Sequence, residues 1–148
     1  MTGIYSLEYG IEESVRKIKT IEEKPVLVAV YGNPLSGAAN FVNELRDKFK
    51  AKNQFDSRSM RALSCWNRHD ELLSIIPTLR KVNMKFTYIL HCPWERGQEN
   101  ENQTDPYVIA KEFAKMDIHL GIGVYNQNYS SHIKGNYDLV IANHHKIH

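Results

Sequence analysis

The stretch Pro25 to Phe49, PVLVAVYGNPLSGAANFVNELRDKF, decides the fold. Its first part, Val26 to Tyr31 (VLVAVY), is apolar or aromatic at every position, as a central strand of a parallel sheet requires. Gly32 to Gly37 (GNPLSG) is a tight loop bounded by glycines. From Ser36 to Lys50 the spacing predicts an amphipathic helix with Phe41, Val42, Leu45 and Phe49 on one face. A strand feeding a glycine-rich loop that opens a helix is the layout of a phosphate cradle, since the first amides of a helix have no partner within it. The spacing from Gly32 to Gly37 fits the first six positions of the pattern G-x-x-x-x-G-K-[ST]. The last two positions do not fit, because Ala38 stands in the place of Lys and Ala39 in the place of Ser or Thr.

On the N-terminal side, Leu7, Ile11, Val15 and Ile18 recur at helical spacing within residues 6–22, predicting an amphipathic helix lying on the sheet. Lys24-Pro25 ends it, because the residue before proline is pushed out of the helical region. Beyond the central helix, Gln54 to Leu63 offers a short second strand that Asp56, Arg58 and Arg61 make a poor central one. Asp70 to Val82 predicts a helix that Pro77 kinks or divides. Lys85 to Cys92 (KFTYILHC) is a third strand, stopped by Pro93. Trp94 to Thr104 reads as a polar, flexible loop. Asp105-Pro106 supplies an N-cap and a first helical proline for a helix running to about Asp117, with Ile109, Phe113 and Met116 inward. Ile118 to Tyr125 (IHLGIGVY) is a strand whose Gly121 and Gly123 imply close backbone packing. A polar connector leads to the last strand, Tyr137 to Ala142, and the tail NHHKIH closes the chain.

The 148 residues suit a single domain spanning 1–148. Nineteen basic against seventeen acidic residues give a formal charge of +2, and no basic run is interleaved with aromatics, so nucleic acid is not an expected partner. Two cysteines, Cys65 and Cys92, are too few for a disulfide framework. With no secretory signal visible and no apolar run of about 18 residues, the expected setting is cytoplasmic and away from a membrane.

Strands alternating with helices predict a three-layer α/β/α sandwich around a mainly parallel five-stranded sheet, with ligand-binding loops at the carboxyl ends of the strands. In layout, and in the phrases KPVLVAVYG-x-x-x-SG and NYDLVIAN (Asn136 to Asn143), the chain resembles the P-loop nucleoside triphosphatases, within them the uridine-kinase-like and nucleotide-kinase-like members. That resemblance implies the strand order 2-3-1-4-5 and a phosphate or nucleotide site at Gly32, Asn33, Pro34, Leu35, Ser36, Gly37, Ala38 and Ala39. ATP, GTP, or a phosphate or sulfate ion are the ligands it implies there. It departs from the family in lacking the phosphate-binding lysine, the magnesium hydroxyl, an acid at the end of the third strand (His91-Cys92-Pro93) and an arginine-bearing lid. Phosphoryl transfer rests on positioning and charge neutralisation, so these losses together remove most of its stabilisation, and magnesium loses its ligand. The connector Asn126 to Asn136 is also near the minimum for a parallel crossover, which leaves the direction of the last strand open.

The expected function is therefore a catalytically degenerate, non-enzymatic binding or regulatory module, with a protein partner at the loop edge carrying Trp66, Trp94 and the acidic loop Glu95 to Asp105. The alternative is a small nucleotide-dependent phosphotransferase taking a non-standard cation from Arg96, Lys134 or a second subunit. A third reading makes the strand-end His91 a base in a different α/β enzyme. His91 and Arg96 are more simply a strand-end histidine and a solvated loop residue. Cys65 and His69 lack a third orienting group for catalysis. His144, His145 and His148, with His119 and His132 elsewhere, lack a completing cysteine or carboxylate, so no metal site is expected.

Overall fold

Every residue of the strand Val26–Tyr31 is buried, because a sheet neighbour lies on each side of it and a packed layer lies on each face. It is β2 of a computed structural model that describes residues 3–22, 26–52, 60–64, 87–101, 103 and 105–145. Around it, in chain order, are β1 (Ile4–Tyr5), α1 (Leu7–Thr20), α2 (Ala38–Lys52) and β3 (Met60–Ser64). Then come β4 (Thr87–Cys92), α3 (Pro106–Ala114), β5 (Leu120–Asn126) and β6 (Leu139–Asn143). The strands form one sheet in the order β1-β6-β5-β2-β4-β3, and every adjacent pair is parallel. The chain is an α/β protein.

The pleat of β2 sorts its side chains into two cores. Val26, Val28 and Val30 face α1 and α2, packing with Ile11, Val15 and Ile18 of the first helix and Phe41, Val42 and Leu45 of the second. Leu27, Ala29 and Tyr31 face the other way, toward Ala110 of α3, Met116, Trp94 and Tyr137. Each fully buried aliphatic side chain in these layers contributes about 1.5–3 kcal/mol.

Several boundaries differ from the sequence expectation for identifiable reasons. The helix expected from Ser36 begins at Ala38, because Gly37 has φ of 88° and cannot be helical. The helix expected to reach Asp117 stops at Ala114, where Lys115 turns left-handed (φ 52°) and the Met116 amide bonds back to Ala110 O. Its start is as read: the Asp105 carboxylate accepts from the Tyr107 amide at 3.1 Å, with Pro106 next in line. The last strand begins at Leu139 and is parallel to β5, in register from Ile122↔Leu139 to Asn126↔Asn143. The connector manages the crossover without a helix by laying Ile133 and Tyr137 on the second core. β1, two residues paired with β6, lies within a segment whose pattern gave no strand signal. The charged stretch around Arg61 is strand β3, the outermost strand on its side of the sheet among the described residues. The helix expected over Asp70 to Val82 lies outside the described residues, as do Cys65, Trp66, His69 and His148. No helix among the described residues is long and apolar enough to cross a membrane.

Candidate functional site

The parallel sheet brings the carboxyl ends of β2, β4, β5 and β6 to one edge, and β2, lying between β4 and β5, feeds the loop Gly32 to Gly37 there. The loop is closed by its own hydrogen bonds. Its first amide, Gly32, donates to both Cys92 O (3.1 Å) and Trp94 O (3.0 Å), tying it to the end of β4. Asn33 folds the next turn. Its Oδ1 accepts from the Leu35 amide at 3.0 Å and its carbonyl accepts from the Ser36 amide at 3.0 Å and from Ser36 Oγ at 2.6 Å. Ser36 Oγ in turn accepts from the Ala38 amide at 3.0 Å, occupying a donor at the mouth of α2. Of the non-proline amides from Gly32 to Ala38, this leaves only those of Asn33 and Gly37.

The loop is also pinned from β6. Asn143, 4% exposed, donates from Nδ2 to Ser36 O at 3.2 Å and accepts from the His145 amide at Oδ1. A Cβ at Gly37 would lie 2.1 Å from that Nδ2, so glycine is required there by close approach as well as by φ. A Cβ at Gly32 would meet Ser36 Oγ at 2.4 Å and Val124 O at 2.7 Å. Within the loop, Asn33, Pro34 and Leu35 are exposed, Ser36 and Ala38 are buried, and Ala39 faces solvent. An anion nest needs successive amides converging on one point; here four of them are already taken by acceptors of the protein itself.

On the second face, a chain of aromatic and ionic groups fills the crevice beside Tyr31. The Tyr31 hydroxyl donates to Asp105 Oδ1 at 2.6 Å. Arg96 Nε lies 3.5 Å from Asp105 Oδ2, its guanidinium sits 3.7 Å above the Tyr107 ring centre, and Nη1 donates to Asn136 O at 3.2 Å. The Arg96 amide donates to the Tyr137 hydroxyl, which donates onward to Lys134 O. Trp94 meets Tyr31 edge to face at 6.3 Å, and its indole N–H donates to Glu99 Oε1. Tyr107 and Tyr137 reach this position because β5 has no side chain there. A Cβ at Gly121 would lie 2.4 Å from the Tyr107 hydroxyl, and one at Gly123 would lie 2.8 Å from the Tyr137 ring.

Burial shifts the titrating groups of this cluster. It pushes the Tyr31 phenol far above its ordinary range, with Cys92 and the bond to Asp105 adding to the effect. It raises Tyr107 to about 12 against the opposing charge of Arg96, and Tyr137 to about 12 against its bond from the Arg96 amide. Burial works against the charge on Arg96, but the surrounding phenols and Asp105 more than offset it. Every buried side-chain nitrogen and oxygen among the described residues has a hydrogen-bond partner.

The residues grouped by sequence around the third strand are therefore divided. His91 alternates with Cys92 and points to the face of Ile89, opposite the Arg96 cluster, where burial holds its imidazole below the usual value. Trp94 is 5% exposed and caps the second core. Lys134 is exposed, and its carbonyl is what the cluster uses. His119 Nδ1 accepts from the Leu27 amide, and His144 and His145, both exposed, stack on each other. No group of three or more His, Cys, Asp or Glu among the described residues is arranged to hold a metal ion. Sequence reasoning missed Tyr31, Asp105, Tyr107, Tyr137 and Asn143 as site residues. Asp105 carried only a capping signal, and the others carried none. Comparison of the chain with protein-family models, curated proteins and solved structures returns no match.

Proposed function

We propose that this protein is a non-enzymatic binding or regulatory module built on a degenerate P-loop kinase-like frame, with at most weak affinity for nucleotide or phosphate. The observation that carries the reading is the commitment of the Gly32, Leu35, Ser36 and Ala38 amides to acceptors inside the protein, in a loop where Ala38 and Ala39 bring neither cation nor hydroxyl. The frame is supported by the order of the five longer strands, β3-β4-β2-β5-β6, which is the 2-3-1-4-5 arrangement that the resemblance implies. Arg96, one of the alternative cations offered by the sequence, is engaged by Asp105, Tyr107 and Asn136, which argues against the phosphotransferase reading. A phosphate approaching this loop would have to break internal bonds worth about 0.5–1.5 kcal/mol each before making new ones.

Calorimetric titration of the whole chain with ATP, GTP and inorganic phosphate, with and without magnesium, tests this. The expected result is no heat above dilution at micromolar ligand. Magnesium-dependent binding at micromolar nucleotide would overturn the reading in favour of a phosphotransferase.

A further inference from the structure

At the far side of the sheet from β3, the outermost strand has no further strand beside it among the described residues. Val140 of β6 donates to Gly3 O, so by the alternation of parallel pairing the N–H and C=O of Ile4 point away from β6, toward a side on which no described strand lies. Proteins usually blunt such an edge with charge or proline. Here the edge residue is Ile4, 65% exposed, and above it on α1 stands Tyr9, 70% exposed. Between them is a depression of about 390 Å³, also lined by Tyr5, Glu12, Glu13 and Arg16. Arg16 is already paired with Glu13. Across the crest of α1 a second depression of about 540 Å³ continues the acidic strip through Glu8, Glu44 and Asp47, with Lys48 as its described cation.

We infer that this edge is a docking surface for an extended segment of a partner protein in which apolar residues alternate with Lys or Arg. The alternation follows from the two faces of β1. Ile4 pairs with Val140, which packs on the second core, so residues of an added strand on that face would cover Ile4. Tyr5 pairs with Ile141 and packs on the first core, so the opposite residues would meet Tyr9 and the Glu12 carboxylate, Glu13 being held by Arg16. Backbone bonds to Ile4 set the position of the strand, and charge complementarity selects its sequence. The surface is separate from the Gly32 loop and stands or falls without the nucleotide reading.

The test uses the full chain, isotope-labelled, titrated with a synthetic peptide of about nine residues alternating Val and Lys, and with its Val/Glu counterpart. Amide shifts at Ile4, Tyr5 and Tyr9, weakened by salt, are expected with the lysine peptide, and binding at least about tenfold weaker with the glutamate peptide. Ile4→Pro removes the outward N–H while leaving the bonds to β6 in place, and should weaken the lysine peptide about tenfold. Tyr9→Ser, at an exposed position of α1, should also weaken it. Equal binding of the two peptides, no binding at millimolar peptide, or shifts confined to another face would overturn the inference. So would an Ile4-dependent dimer in sedimentation velocity, which would make a second copy the occupant.

Discussion

Replacing Ser36 with alanine tests the closed loop at its centre. The side chain is 1% exposed and its Oγ does two jobs: it donates to Asn33 O and accepts from the Ala38 amide. Asn33 O keeps a donor after the change, because the Ser36 amide also reaches it at 3.0 Å. The Ala38 amide does not, and a buried donor left without an acceptor costs about 1–3 kcal/mol. Alanine fills the same space without the hydroxyl, so no cavity term is added. The expected loss is about 2 kcal/mol, within the range measured for removing a side-chain acceptor from a helix start. For a chain of this size that is a fall in Tm of about 4–8 °C. Urea denaturation followed by circular dichroism should show the midpoint falling with the slope unchanged. A loss below about 0.5 kcal/mol, the scatter of ordinary surface substitutions, would refute the claim that this amide is satisfied only from within the loop.

The double substitution Ala38→Lys with Ala39→Ser restores the missing cation and hydroxyl but not the committed amides. Calorimetry should show no magnesium-dependent ATP or GTP binding, and crowding at the buried position 38 should lower stability by about 1–3 kcal/mol. Tyr31→Phe removes the bond to Asp105 and should cost about 1–2 kcal/mol in the same denaturation assay. The folded state holds the Tyr31, Tyr107 and Tyr137 phenols above their unfolded value of about 10, so it binds more protons than the unfolded chain there. Stability should therefore fall as pH rises past about 10, and an absorbance titration should show these phenols ionising only as the chain unfolds. His91 has the opposite sense of linkage: burial lowers its value when folded, so the unfolded state gains the extra proton. Stability should decline as pH drops below about 6.5, and His91→Asn should flatten that slope relative to the parent chain.

The α/β class and most of the elements were legible because hydrophobic period and helix punctuation are local. The run VLVAVY has no polar face to offer solvent, as suits a central strand, and Asp105-Pro106 carries the residue types of a helix start. The glycines of β5 announced close packing but not what would pack. That the gap admits Tyr107 and Tyr137 depends on a helix and a connector from elsewhere in the chain crossing the same strand. The direction of β6 was undetermined because its connector is short; in the structure the return is parallel, with Ile133 and Tyr137 of the connector packed on the second core. The sequence by itself determined that the Gly32 loop joins a buried strand to a helix and carries neither lysine nor hydroxyl, since those are facts about residue identity and spacing. Only the tertiary structure decided how the loop is fastened to the sheet, because the Gly32 amide finds Cys92 O and Trp94 O, and Ser36 O finds Asn143, in segments distant in sequence that no local pattern names, whereas the Leu35, Ser36 and Ala38 amides are taken up by Asn33 and Ser36 within the loop.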